Sequence, residues 1–146
     1  MDEEFVDMLQ EALDMDDEER LDYFNDAINR FVAALRDEGD YNEDEVVDTL
    51  SMVFSFFACI ENEIAVPVVE LIKDALQIQM SYEEVCEILQ RDNDESCRKI
   101  IYELADALSP EGRHALATMG TIICAADGSF TPEEQRVVYH FYTIED

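Results

Sequence analysis

The chain has no tryptophan and only two lysines, Lys73 and Lys99. Even with its arginines, it sets nine basic side chains against thirty-seven acidic ones. So little positive charge leaves no means of gripping phosphates, which excludes nucleic acid and anionic lipid as partners. Glycine is thin too. Gly39, Gly112, Gly120 and Gly128 are scattered, and no glycine-rich loop exists to cradle a nucleotide. No run alternates in the manner of a half-exposed strand. No apolar run is long enough for a bilayer: Met52–Ile60 is the longest strongly apolar one, and Ser55 breaks it. Asp2, Glu3 and Glu4 stand where a leader would carry basic residues, so no secretory signal is expected.

Reactive groups are equally sparse. Cys59, Cys86, Cys97 and Cys124 form no Cys-x-x-Cys pair and have no histidine at zinc-finger spacing. Cys59 and Cys124 lie in apolar runs and read as buried thiols, which suits a reducing cytoplasm. His114 and His140 fall on expected helices with no serine or cysteine nucleophile motif beside them. Paired carboxylates are unavoidable at this acid content and nominate no glycosidase. No enzyme is expected.

What the chain does have is acid and apolar periodicity. Its formal net charge is -28 over 146 residues, and 48% of its residues are hydrophobic. One domain with a substantial core fits that length. Residues 1–48 hold nineteen acids and three arginines, so the N-terminal third is the most negative. It is no disordered tail, because Phe24, Ile28, Phe31, Val32 and Leu35 step by three and four. Such a surface attracts cations and basic proteins, and it repels itself.

The periodicity predicts an all-α domain, a compact bundle of about seven to eight helices. Expected helices cover roughly 2–14, 17–37, 43–60, 66–79, 82–91, 94–108, 110–126 and 131 to the C-terminus. Gly39 is expected to close the second. Asn42 with Glu45, and Ser81 with Glu84, read as capping boxes, and Ser109-Pro110 as an N-cap followed by an N1 proline. The third helix has the broadest apolar surface and is expected to be central. In the sixth, Cys97, Ile100, Ile101, Leu104 and Leu108 are expected to face inward.

Sliding the chain by about 66 residues reveals a repeat. Leu50, Val53, Phe57 and Ile60 then overlie Leu116, Met119, Ile123 and Ala126. Glu61 falls on Asp127, Asn62 on Gly128 and Ile64 on Phe130. Each unit is a helix, a tight acidic turn and a helix, which implies two pseudo-symmetric helix-turn-helix units. Asp127-Gly128 with Phe130 and Glu134 matches the second half of an EF-hand loop, but Ile123 and Ala125 occupy positions that should be acidic. An EF-hand is therefore excluded. A cation here would need Asp127, Glu134 and Glu133, with carbonyls, water and carboxylates from another helix. All-oxygen ligands favour Ca²⁺ or Mg²⁺. Against this stands a purely structural reading: Thr131 and Glu134 form a capping box, and acids in a first turn suit the helix dipole.

The segment Met119–Glu134, with its copy upstream, resembles the TerB-like family of tellurite-resistance proteins. The resemblance spans residues 42–146, and residues 1–41 stand as an added acidic helical segment. It implies an all-helical fold of two related units and a divalent-cation site at the acidic turns. It also implies a role in stress response linked to tellurite resistance. By position, Asp127 and Glu134 carry over, and Glu61 with Asn62 replaces the first Asp-Gly. The downstream Glu of the first turn does not carry over: Val68 occupies its place, Glu70 comes two residues late, and Pro67 reshapes the helix start. Two functional expectations follow. One is a TerB-like domain binding a divalent cation. The other is a metal-free acidic module docking a basic protein, including the DNA-mimic type.

Overall fold

The computed structural model describes residues 3–60, 63–91 and 94–142. Eight α-helices account for most of them: α1 (Glu3–Asp14), α2 (Asp17–Gly39), α3 (Glu43–Ala58), α4 (Val66–Leu76), α5 (Tyr82–Arg91), α6 (Glu95–Ala107), α7 (Pro110–Ala125) and α8 (Pro132–Tyr142). The described residues contain no strand. Among them, no helix is long and apolar enough to cross a membrane.

The helix starts follow local chemistry. Asp16 caps α2 in a box with Glu19, and Asn42 caps α3 in a box with Glu45. Asp94 and Ser109 cap α6 and α7 through the backbone N–H groups of Cys97 and Gly112. Pro110 and Pro67 occupy first-turn positions, where a missing N–H costs nothing. The stops depart from expectation. Asp40, not Gly39, takes the left-handed conformation after α2, at φ 54°. α4 ends at Leu76 with left-handed Gln77, earlier than the expected 79, and α3 ends at Ala58.

The centre of the bundle is α7 rather than α3. Twelve of its sixteen residues are buried, against eight of sixteen in α3. α7 touches α1, α2, α3, α4, α6 and α8. Ala115, Leu116, Met119 and Ile123 are fully enclosed, and only a narrow strip of its first turns, with Glu111 and His114, reaches water. Gly120 lets α3 come close: a Cβ there would lie only 2.4 Å from a Phe57 ring carbon. Phe57 belongs to an aromatic cluster with Phe56, Tyr102 and Phe141, which locks α3, α6 and α8 together. Phe5 packs on Tyr139 and Tyr142, attaching α1 to α8.

Two buried arginines act as helix clamps. Arg20 donates to the carbonyls of Ala12 and Met15 at the end of α1. Arg113 donates to the Leu108 carbonyl, at 2.8 Å, just past α6. Each places positive charge at the negative end of a preceding helix. The inward face of α6 is narrower than its sequence suggests. Ile101 and Ala105 are buried, but Ile100 is 44% exposed.

Candidate functional site

The turn from α7 into α8 is built by three local devices. The N–H of Gly128 bonds to the Ala125 carbonyl at 2.9 Å, and Gly128 sits at φ 94°, a conformation open to glycine. Oδ1 of Asp127 then accepts from the Ser129 N–H at 3.2 Å, closing a small loop. Finally, Oε1 of Glu134 accepts from the Thr131 N–H at 2.9 Å while Thr131 Oγ1 accepts from the Glu134 N–H at 3.1 Å. That is the reciprocal capping box expected from the sequence.

Glu134 is unusual among the acids of this chain because it is buried. Burial pushes its pKa above the ordinary carboxylate value, and the negative charge of Asp127 adds to the rise. Hydrogen bonds from Thr131 and Cys124 oppose it without cancelling it. The turn therefore brings Asp127 and Glu134 within electrostatic reach of each other. Glu133 is engaged elsewhere, paired with Arg136 at 2.8 Å. Glu61 lies outside the described residues. Among the described residues, no group of three or more His, Cys, Asp or Glu side chains is arranged to hold a metal ion.

The earlier elbow is made differently. Ala65 stands at the N-cap of α4 and offers no side-chain bond. Val68, in the place of a second-copy Glu134, is buried in the core. Tyr82 donates its hydroxyl hydrogen to the Ile64 carbonyl and ties this elbow to α5. Even so, α3 and α7 are both sixteen residues long, and α4 and α8 both eleven.

Cys59 and Cys124 are buried thiols, and Cys86 and Cys97 are half-buried. Burial pushes the Cys59 thiol up to about 11, with the neighbouring Cys86 adding to it. It is therefore protonated at neutral pH and a poor nucleophile. His114 and His140 are exposed, as their positions suggest, and His140 rests edge-on against Tyr102.

Two surface depressions escape a linear reading of the sequence. One, of about 360 Å³, has Leu21, Val66, Pro67 and Leu71 in its apolar lining, Asp17, Glu70 and Asp74 as its acids, and Arg20, paired with Asp17 at 3.3 Å, as its cation. The other, of about 240 Å³, lies between α3, α4 and α5 and is almost wholly apolar. Val47, 59% exposed, and Leu76, 41% exposed, stand at it. The adjacent pair Val46-Val47 was the available sequence signal, because one helix face cannot bury both. Comparison of the chain with family models, curated proteins and solved structures gives no match.

Proposed function

We propose that this chain is a non-enzymatic interaction domain whose acidic surface docks a basic protein. The observation that carries this reading is the imbalance of charge, -28 overall. Most of it stays in water: nearly all of the acids in the described helices are exposed. Among the described residues, ion pairs such as Arg30 with Asp26 and Lys99 with Glu103 are local ones within a helix. Local pairs of this kind leave the long-range field almost untouched. The depression beside α2 already seats one cation, Arg20 against Asp17, and its remaining acids, Glu70 and Asp74, stand on an apolar floor that would take the aliphatic stem of a partner's lysine or arginine. A mimic of the DNA backbone is one form of such a module. The test is titration with a basic protein at low and high salt. Binding that weakens steeply with salt supports the reading, and binding indifferent to salt refutes it.

A second reading keeps the TerB-like resemblance and places a divalent cation at the α7–α8 turn. What favours it is Glu134, buried and electrostatically linked to Asp127. Ca²⁺ or Mg²⁺ would relieve the repulsion between the two carboxylates. Calorimetric titration with Ca²⁺, Mg²⁺, Mn²⁺ and Zn²⁺ tests it. Silence with all four, or heat unchanged in a D127A/E134A variant, removes the cation from the account.

A further inference from the structure

We infer that the groove between α3, α4 and α5 receives the apolar face of a basic amphipathic helix from a partner protein. This inference rests on the acidic-docking reading and gives it a location. The groove is a seam of three elements. Val47, Leu50 and Phe54 line it from α3, Leu76 from α4, Met80 from the connection that follows, and Ile88 from α5. Val47, Leu50 and Phe54 are spaced as one helical face, so α3 gives the seam an apolar wall about two turns long, the kind of surface an amphipathic helix can lie against. Its volume of about 240 Å³ has room for a few aliphatic side chains rather than a cofactor.

The charge around the seam selects the occupant. Along their whole length the three helices carry nine carboxylates and two cations, Lys73 and Arg91; Glu70 and Asp74 belong to the depression beside α2, and Glu83 and Glu87 to another face of α5. Lys73 is drawn towards Glu70 at 3.8 Å. Glu43 lies one turn before Val47, and Glu84 one turn before Ile88, both exposed. Acids therefore flank an apolar strip. A second copy of this chain would bring another charge of -28 against the first, and anionic lipid or a fatty-acid carboxylate would meet the same repulsion. A helix with apolar residues on one face and lysine or arginine on its edges satisfies both the strip and its rim.

The experiment uses the full chain and two synthetic peptides of identical leucine and lysine content. In one peptide the leucines repeat at helical spacing, and in the other the same residues are scrambled. Binding is followed by fluorescence anisotropy at low salt. The patterned peptide is expected to bind roughly tenfold more tightly. A V47Q/L76Q variant keeps the net charge and alters only exposed positions. It is expected to lower the patterned peptide to the level of the scrambled one and leave the scrambled peptide unchanged. Equal binding of both peptides to the native chain would overturn the groove while leaving acidic docking intact. Absence of binding by either would overturn both. A native dimer in sedimentation that V47Q/L76Q dissociates would make the occupant a second copy, and would also overturn the inference.

Discussion

The carboxylate of Glu38, at the end of α2, takes both polar hydrogens of Ser109, the N–H at 2.9 Å and the hydroxyl at 2.7 Å. Ser109 in turn caps α7, accepting from the Gly112 N–H. One acid thus joins the end of α2 to the start of the central helix across 71 residues of sequence. These bonds, with Arg113 nearby, hold the Glu38 carboxyl below its usual pKa. A depressed folded pKa means stability that is present above the unfolded value and lost as pH falls through the folded one. Glu38→Gln is therefore expected to cost roughly 1 kcal/mol at neutral pH, at the modest end because the site is open to water. Urea unfolding at a series of pH values checks it. The gap between the two proteins should close once the pH drops below the carboxylate range.

Gly120 and Phe57 give a sharper mutational test. A methyl group at 120 meets the Phe57 ring head-on, inside the contact between the two most buried helices. Gly120→Ala adds helix propensity but overpacks the core, and the second effect is the larger. The expected loss is roughly 1–3 kcal/mol. Phe57→Leu alone is expected to destabilise as well, by leaving a void. The double variant should be more stable than the sum of the two losses implies, because the leucine vacates the space the methyl needs. Thermal melts of all four proteins measure that coupling.

Helix starts were legible in the sequence because their causes are local. Asn42 with Glu45, Ser81 with Glu84 and Thr131 with Glu134 each fit within four residues, and each box forms. Helix stops were less legible. Gln77 ends α4 in a left-handed conformation with no glycine to announce it, and Asp40 does the same for α2 beside a glycine that does not. The direction of a side chain at the edge of an apolar stripe is set by neighbours distant in sequence. That is why Ile100 and Val47 face water although their spacing fits the stripe. The Glu38–Ser109 link was invisible for the same reason, and the apolar seam left only the adjacent pair Val46-Val47 as a trace. The α7–α8 turn lies between these cases: its capping box was foreseen, but the burial of Glu134 depends on how α8 packs.

Glu134 reverses the pH behaviour of Glu38. Its pKa is raised, so its contribution to stability is complete while the group is protonated and is lost as pH rises through the folded value. Glu134→Gln keeps an acceptor for the Thr131 N–H, since glutamine also serves in a capping box. It removes a buried charge that Asp127 repels. The variant is therefore expected to melt above the native protein at pH 7 and to converge with it below roughly pH 4. Melting curves across that range decide it. A native protein more stable than the variant at pH 7 in metal-free buffer would mean that the negative charge of Glu134 is compensated by a group the capping box does not include.

Net charge makes the same fold sensitive to salt. At -28, the compact state repels itself more than the expanded chain does, so screening should favour folding. Sodium chloride raised from about 0.01 M to 0.15 M shortens the Debye length from about 30 Å to about 8 Å. A gain of roughly 1–2 kcal/mol, or about 2–8 °C in melting temperature, is expected. Magnesium chloride at matched ionic strength separates screening from site binding. If the acids act only as a diffuse field, magnesium exceeds sodium slightly, and the excess survives Glu134→Gln, because no single carboxylate gathers the ion. If a cation occupies the α7–α8 turn, the excess is larger, saturates with concentration and disappears in that variant. The native protein then gains on Glu134→Gln as metal is added, reversing the order predicted for metal-free buffer.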